Sequence, residues 1–239
     1  MAYEYIEDYN ENLYYLNSVT GPHAGRVKYG KYMDGDKEIQ LDCNNQGHHL
    51  HGGKNGTHQH NFKITKLDNA LIANYYDDNL QIYYQEIFSI ENNEVNINYL
   101  AIPKHKTLIN MTQHTYFNLS QENTIENHKL KIDSDKVNAL DEEGVPSKEF
   151  IDVTNTAFDF KKSKTLTDNM QMDHEQFKYS SHIDHPYYIP NGRIMLTSPD
   201  DKINLEISSD ADYAVVYLAN YFLGEKRFKD RGYSQNIKQ

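Results

Sequence analysis

Four alternating runs between positions 61 and 101 constrain the fold of this chain more than any other stretch. The runs are NFKITKL, ALIANYY, LQIYYQEIFSI and VNINYLAI, and clusters of Asp, Asn and Glu separate them. Alternation of β-branched or aromatic residues with polar ones is typical of strands, and the acidic and amide clusters are typical of turns. The connections are too short to hold helices, so the sequence predicts an antiparallel meander and not a parallel sheet with crossovers.

The rest of the chain continues this pattern. Asp34-Gly35-Asp36 and Pro199-Asp200-Asp201 each sit between strand-like runs and predict two hairpins. Two more short strands are expected between positions 128 and 165, and a last one begins at position 213. Residues 168–176 lack alternation and favour a short helix or loop, and the residues after position 222 favour a loop. The fold class predicted from these elements is all-β with few helices.

Composition excludes several classes of function. With 239 residues the chain is long enough for a single large β domain, which we expect to span residues 1–239. A formal net charge of −11 opposes binding to nucleic acid or to an anionic membrane, so the expected partner is small and neutral. No signal peptide or transmembrane stretch is evident. The single cysteine, Cys43, excludes an internal disulfide and predicts a cytoplasmic location.

Known signatures of other chemistries are missing from the sequence. It contains no P-loop, no G-x-G-x-x-G after a strand, no G-x-S-x-G elbow and no C-x-x-C. These patterns carry nucleotide-dependent, acyl-transfer and redox chemistry. Nucleotide-dependent and acyl-transfer reactions are therefore not the first expectation for this chain.

The run LINMTQHTYFNLS, residues 108–120, places polar side chains on one face of a predicted strand. Thr112, His114 and Tyr116 alternate with Met111 and Phe117. Such a face is either an ordinary solvated surface or the bottom of a polar cleft. Periodicity alone leaves both interpretations open.

Residues 44–62 form a second unusual stretch, NNQGHHLHGGKNGTHQHNF, which is rich in His and Gly. The glycines permit positive φ angles and predict a structured loop, neither strand nor helix. His49 and His51, like His58 and His60, have a spacing that could bind a metal if the two pairs converged. Without a neighbouring Cys, H-E-x-x-H or spaced carboxylate, the metal interpretation ranks below the others.

Five candidate site residues lie in loops or at strand ends of this β sequence. Arg26 follows a glycine turn, and Asp184 lies between His182 and His185. A guanidinium near a turn is either a surface charge or a fixed planar donor. Imidazoles together with a carboxylate and a guanidinium could hold a polyhydroxyl ligand and move protons, since histidine commonly titrates near neutral pH. The candidates are Arg26, His49, His51, His114 and Asp184.

The same stretches resemble the aldose 1-epimerase (galactose mutarotase) family. AGRVKYGKY is similar to the family's N-R-I-x-x-G-x-F, HHLHGGKNG to N-x-L-H-G-G, QHTYFNLS to N-H-[ST]-Y-F-N-L, and IDHPY to F-D-H-[NP]-[FY]. Between the last two, DEEGVPSKEFIDVTNTAFDF is similar to D-E-x-x-I-P-T-G-x-x-x-x-V-x-x-T-x-F-D-F. The motifs occur in the family's order over roughly residues 14–220, which a chance match to one short motif would not do.

The resemblance implies a large twisted antiparallel β-sandwich with few short helices. It also implies interconversion of the α and β anomers of free aldohexoses such as galactose or glucose, without a cofactor. By motif position, His114 is the general acid that protonates the ring oxygen and His51 hydrogen-bonds the sugar near that oxygen. The resemblance makes the remaining candidates substrate contacts: Arg26, Asp184, His49 and Tyr116.

The chain departs from the family pattern near both ends. The family's general base is a glutamate in a late motif of the form [CIL]-x-E-x-Q-x-x-P-D, and this sequence has no such motif. Glu225, in FLGEKRF, is the only glutamate after Glu206 and lacks that context. Family members also carry strands before the segment that matches Tyr14. We therefore expect a family member shortened at both ends.

Two alternative functions follow from these departures and from the charge balance. A non-catalytic carbohydrate-binding remnant of the family would not need the missing glutamate. A relative acting on phosphorylated hexoses would need a cluster of arginines, and with 24 basic against 35 acidic residues this alternative ranks below a neutral sugar. The sequence leaves the preferred aldose and the oligomeric state open.

Overall fold

The computed structural model describes residues 1–190 and 192–222, which form two compact units. Asn17–Thr115 form one unit, here called the meander unit. Met1–Leu16 and Tyr116–Gln239 form the other, here called the split unit. The expectation of a single domain over residues 1–239 stays a prediction.

The meander unit takes its name from a four-stranded antiparallel sheet in the order β6-β7-β8-β9. Ten strands and three single 3₁₀ turns, Lys28–Gly30, Gly53–Asn55 and Thr57–Gln59, make up this unit. The strands are β1 (Ser18–Thr20), β2 (Arg26–Val27), β3 (Lys31–Asp34), β4 (Lys37–Gln40), β5 (His49–Leu50), β6 (Lys63–Lys66), β7 (Ala70–Asp77), β8 (Ile82–Glu91), β9 (Glu94–Pro103) and β10 (Thr112–His114). The predicted meander and the predicted hairpin at Gly35 are both confirmed.

The same unit also contains three two-stranded pairs: β1 with β10, β2 with β5, and β3 with β4. These pairs are short, but their backbone hydrogen bonds fix the positions of segments that contain histidines. The pairing of β2 with β5 sets Arg26 opposite Leu50, and the pairing of β1 with β10 sets Ser18 opposite His114. Antiparallel backbone pairing therefore fixes the positions from which Arg26 and His114 extend.

The split unit contains two four-stranded antiparallel sheets, in the orders β14-β11-β16-β17 and β13-β12-β15-β18. Its elements are a 3₁₀ turn (Ile6–Glu11), β11 (Lys129–Ile132), β12 (Lys136–Leu140), β13 (Pro146–Asp152), β14 (Lys164–Thr165), α1 (Leu166–Met170), α2 (Phe177–Ser180), β15 (Asp184–Tyr188), β16 (Arg193–Thr197), β17 (Asn204–Ser208) and β18 (Tyr213–Tyr217). The buried core draws side chains from both sheets, including Ile132, Val137 and Tyr187. This arrangement is a β-sandwich.

The all-β class with few short helices is confirmed, while two details of the strand prediction are wrong. Four strands, β11 to β14, lie between positions 128 and 165 where two were expected. β14 has only two residues and β13 is largely exposed, so neither shows the hydrophobic alternation that signals a strand. The stretch 168–176 contains the end of α1 and a loop, as expected. The predicted loop after position 222 lies outside the described residues.

The strand predicted over residues 108–120 is also much shorter than expected. The strand covers only Thr112–His114, because its partner β1 is itself three residues long, and Asn110 forms a separate single bridge with His23. Residues 44–62 are mostly loop, as predicted, but include β5 and two of the 3₁₀ turns. Across the described ranges 1–190 and 192–222, no helix has the length and apolar character needed to cross a membrane.

Candidate active site

The loop that carries His51 follows an unusual backbone path. His51, Gly52 and Gly53 have φ angles of 51°, 85° and 62°, so three consecutive residues lie in the left-handed region. Glycine adopts this region without a steric penalty. A Cβ atom at Gly52 would collide with the backbone carbonyl of Gly21, so the two chain segments touch without side chains between them.

Two hydrogen bonds with Gly25 fix the imidazole of His51. The His51 backbone N–H donates to the Gly25 carbonyl oxygen over 3.1 Å, and the Gly25 backbone N–H donates to His51 Nδ1 over 3.2 Å. Since Nδ1 is an acceptor, the proton of the neutral ring is on Nε2. His51 therefore presents an N–H donor at Nε2.

His114 lies at the end of β10 and packs against His51. The two ring centroids are 5.3 Å apart and the ring planes are nearly perpendicular, at 81°. The backbone carbonyl of His114 accepts a hydrogen bond of 3.0 Å from the Asn17 N–H. The predicted pair of imidazoles is thus present within the meander unit.

Burial keeps both imidazoles neutral near pH 7. It lowers the pKa of His114 to about 4. It also lowers the pKa of His51 to about 3, and the neighbouring rings of His114 and His58 and the charge of Arg26 add to this effect. The expectation that histidines at this site titrate near neutral pH is therefore wrong for His51 and His114.

Arg26 is held close to the imidazole pair by a polar contact. Its Nε donates to Asn45 Oδ1 over 3.3 Å, and its side chain is half-buried. Pairing of Arg26 with Leu50 places it next to the residue before His51, and the charge of its guanidinium contributes to the lowered pKa of His51. Of the two interpretations of Arg26, the structure favours a donor held in place over a free surface charge.

His49 lies in the interior of the same loop and not at its surface. It is 1 % exposed, and its Nδ1–H donates to the Asp42 carbonyl oxygen over 2.8 Å. His23 Nδ1 lies 3.1 Å from His49 Nε2 and donates to it, because Nδ1 carries the His49 proton. Both ring nitrogens are engaged within the protein, which opposes the expected direct contact with a sugar.

Tyr116 and Asp184 belong to the split unit, where both are neighbours of Tyr217. The Tyr116 hydroxyl donates to the Tyr14 carbonyl over 2.9 Å, and its ring packs against Phe222 with centroids 5.0 Å apart. Burial, the Tyr217 hydroxyl and the charge of Asp184 raise the pKa of Tyr116 above its ordinary range. Asp184 is the first residue of β15 and is half-buried.

Two histidines of the meander unit were missed as site residues by sequence reasoning. His58, considered only as a metal ligand, has its pKa lowered to about 4 by burial and by the rings of His60 and His114. His23, which was not considered, supports His49. The sequence feature that could have identified both residues is their position in glycine turns, next to the other histidines. Within the described part of the chain, no group of three or more His, Cys, Asp or Glu side chains is arranged to hold a metal ion.

Solved structures with the same architecture include two sugar epimerase relatives. A galactose 1-epimerase from Lactobacillus acidophilus superposes with a TM-score of 0.86 at 28 % identity, over 98 % of this chain and 73 % of that one. An aldose epimerase homologue from C. elegans gives a TM-score of 0.87 at 21 % identity, over 99 % and 75 % of the two chains. The predicted mutarotase-like fold is thereby confirmed.

Sequence comparisons agree with the structural ones. The aldose 1-epimerase of Haemophilus influenzae is 27 % identical over 92 % of this chain and 68 % of its own length. The galactose mutarotase of Bos taurus is 29 % identical over 73 % of this chain and 53 % of its own length. This chain thus aligns with about two thirds of the bacterial relative and half of the bovine one. The family model for aldose 1-epimerase matches residues 2–237, and the chain therefore belongs to the aldose 1-epimerase family, a family of isomerases.

Proposed function

We propose that this chain interconverts the α and β anomers of a free aldohexose such as galactose or glucose. The observation that carries the proposal is the pair formed by His51 and His114, with ring centroids 5.3 Å apart. One ring of this pair presents a fixed N–H donor, and the other lies beside it. Membership of the aldose 1-epimerase family supports a monosaccharide as the substrate.

The reaction needs only proton transfers and one bond that breaks and re-forms. A base takes the proton of the C1 hydroxyl while an acid protonates the ring oxygen O5, and the C1–O5 bond breaks to give an open-chain aldehyde. Rotation about the C1–C2 bond exposes the other face of the aldehyde. Ring closure then reverses both proton transfers, so the sequence balances without a cofactor.

His114 is the proposed acid at O5, and His51 is the proposed hydrogen-bond donor beside it. Because burial lowers the pKa of His114 to about 4, its protonated form is a strong acid but is scarce at pH 7. His51 Nε2–H is the correct partner for a ring oxygen, since that oxygen only accepts hydrogen bonds. Water is the simplest acceptor for the C1 proton.

The other candidate residues have two kinds of proposed role: direct contact with the sugar, or positioning of the loop that carries His51. Arg26, held by Asn45 near His51, would donate to sugar hydroxyls. For Asp184 and Tyr116, the proposed contacts with sugar hydroxyls are inferred from the match to the family motifs. For His49 the burial and the two engaged ring nitrogens support a positioning role instead of a contact, since this ring holds the loop that carries His51.

Polarimetry on freshly dissolved α-glucose and α-galactose tests the proposal. The protein should accelerate the approach to anomeric equilibrium beyond the buffer rate, in proportion to protein concentration, and His114→Ala should lower the added rate about 10²–10⁴-fold. His105→Ala is a matched control, because His105 is exposed and lies in the same unit. No acceleration at high protein concentration would rule out turnover. Inhibition by galactose 6-phosphate but not by galactose would favour phosphorylated substrates.

A second candidate, carbohydrate binding without turnover, is favoured by one observation. Both imidazoles are neutral at pH 7, so the pair offers hydrogen-bonding groups but little of the acid that ring opening needs. This alternative predicts galactose-dependent shifts of the His51 and His114 ring resonances together with an unchanged rate of anomer exchange. Measuring both quantities on one sample separates the two functions.

A further inference from the structure

One cleft of the meander unit holds a buried carboxyl group, that of Glu86, to which the proposed reaction assigns no role. The cleft has a volume of about 340 Å³. This size is at the lower end of the range for small-molecule sites, about 300–1,000 Å³. Its lining includes Thr57, His58, His60, Phe62, Ala73 and Glu86.

One row of cross-strand neighbours forms the base of this cleft. Ile64 of β6 is paired with Ala73 of β7, and Ala73 is paired with Glu86 of β8. Directly paired residues project to the same face of an antiparallel sheet. The methyl group of Ala73 is the smallest of the three side chains, so space remains above it and beside the Glu86 carboxyl group.

Glu86 is an unusual residue for the inside of a sheet face. It is 7 % exposed, yet the described residues supply no hydrogen bond or ion pair to its carboxyl group. Burial raises the pKa of Glu86 to about 7, and burial with the charge of Glu86 raises the pKa of Tyr99 to about 12. A carboxylate that is largely withdrawn from water is stabilised by a cationic partner, and a ligand in the cleft could supply one.

Among the described residues, no Lys or Arg lines the cleft. Burial lowers the pKa of His58 to about 4, so this imidazole is neutral at pH 7. The His60 ring stacks on Tyr75, with centroids 4.6 Å apart, and its Nε2 lies 3.9 Å from the Asp77 carboxylate. The cleft is therefore polar, and above pH 7, where Glu86 is mostly ionised, it carries negative charge beside the Phe62 ring.

We propose that this cleft binds a small ligand with an ammonium group, which donates hydrogen bonds to the Glu86 carboxylate. An ammonium group has the charge and the donors that Glu86 lacks. Phe62 and Ile64 give the carbon skeleton of the ligand an apolar surface, and a cation near the Phe62 ring is attracted by its π-electrons. A neutral polyol could hydrogen-bond in the same place but would leave the charge uncompensated. The proposal does not depend on mutarotase activity.

A titration with two probes of equal size tests this proposal. Ethanolamine and ethylene glycol differ chiefly in replacing a hydroxyl by an ammonium group, and binding is followed through the ring resonances of His58 and His60 at pH 8. Ethanolamine should shift both rings with an affinity at least tenfold higher than that of ethylene glycol. Equal responses to the two probes, or no response to either, would overturn the proposal.

Two substitutions test whether the Glu86 carboxylate is the group that binds ethanolamine. Glu86→Gln should lower the affinity for ethanolamine at least tenfold, whereas Glu91→Gln, at the exposed end of β8, should leave it unchanged. Unchanged affinity in folded Glu86→Gln would also overturn the proposal.

If Glu86→Gln does not fold, the wild-type protein provides the test. Its affinity should fall at least tenfold from pH 8 to pH 5 as Glu86 becomes protonated. His58 and His60 face the same cleft, and His60→Gln should keep this pH dependence. An affinity independent of pH would contradict a carboxylate at the centre of the site.

Discussion

The Gly25 backbone N–H donates to His51 Nδ1 over 3.2 Å, which decides where the neutral imidazole carries its proton. The reciprocal bond of 3.1 Å, from the His51 N–H to the Gly25 carbonyl, ties the ring to the chain that leads into Arg26. The donor at Nε2 is therefore preorganised, and little conformational entropy is lost when it meets an acceptor.

We expect His51→Ala to lower kcat/KM for anomer exchange about 10–100-fold. The loss corresponds to about 1–3 kcal/mol for one hydrogen bond in a buried site. Polarimetry at pH 7 measures it, with His105→Ala as the control. A change of less than twofold would show that the Nε2 donor does not contact the reacting sugar.

The pH dependence of the reaction should reveal the role of His114. If its protonated form is the acid, the fraction able to react increases as the pH falls toward a pKa of about 4. We therefore expect kcat/KM to rise about tenfold per pH unit from pH 7 to pH 5, after subtraction of the buffer rate. A profile that is flat or falls on acidification would mean that the neutral ring acts instead, as a base.

Acidification should also destabilise the meander unit through its histidines. The pKa values of His23, His51, His58 and His114 are lowered to about 3–4, so the unfolded chain binds more protons between pH 6.5 and pH 4. Glu86, whose pKa is raised, acts in the opposite direction. We expect the free energy of unfolding in urea to fall by more than about 2 kcal/mol from pH 7 to pH 4.

Substitution of one histidine checks the source of this pH dependence. His58→Gln removes one of the titrating groups, so its unfolding free energy should vary less with pH than that of the wild type. Identical slopes for the two proteins would assign acid sensitivity to other groups.

Alanine substitutions at two glycines with the same φ angle distinguish the cost of backbone strain from the cost of a steric collision. Gly47 and Gly52 both have φ of 85°, but only at Gly52 would a Cβ atom meet another chain segment. Gly47→Ala should cost about 1–2 kcal/mol of stability, the penalty for an L-residue in the left-handed region. Gly52→Ala should cost at least about 2 kcal/mol more and reduce activity. Equal losses in urea unfolding would show that the loop adjusts.

The meander and the hairpins were predictable because their signals are local. Alternation in β7 and β8 and the polar turns between them lie within short windows of sequence. The length of the strand around His114 was not predictable, because it depends on β1, almost a hundred residues away.

The residue types of the candidate site could be proposed from the sequence, but their arrangement could not. His49 and His51 would share one face if the strand continued, yet β5 ends at Leu50 and His51 has φ of 51°, so the two rings diverge. The lowered pKa values depend on burial by distant segments, which no spacing reveals. Nothing in the sequence indicated a binding role for Glu86, since it occupies an ordinary position in an alternating strand.

The close approach of Gly52 to Gly21 makes these two positions mutationally dependent on each other. A side chain at position 52 could be accommodated only if the chain around Gly21 moved away. That movement would displace the turn that leads to Arg26, five residues after Gly21. If positions 21 and 52 are randomised together and active variants are selected, the selected pairs of residues should be those that preserve the distance between the Arg26 guanidinium and the His51 imidazole. Neither randomised position is itself a proposed sugar contact.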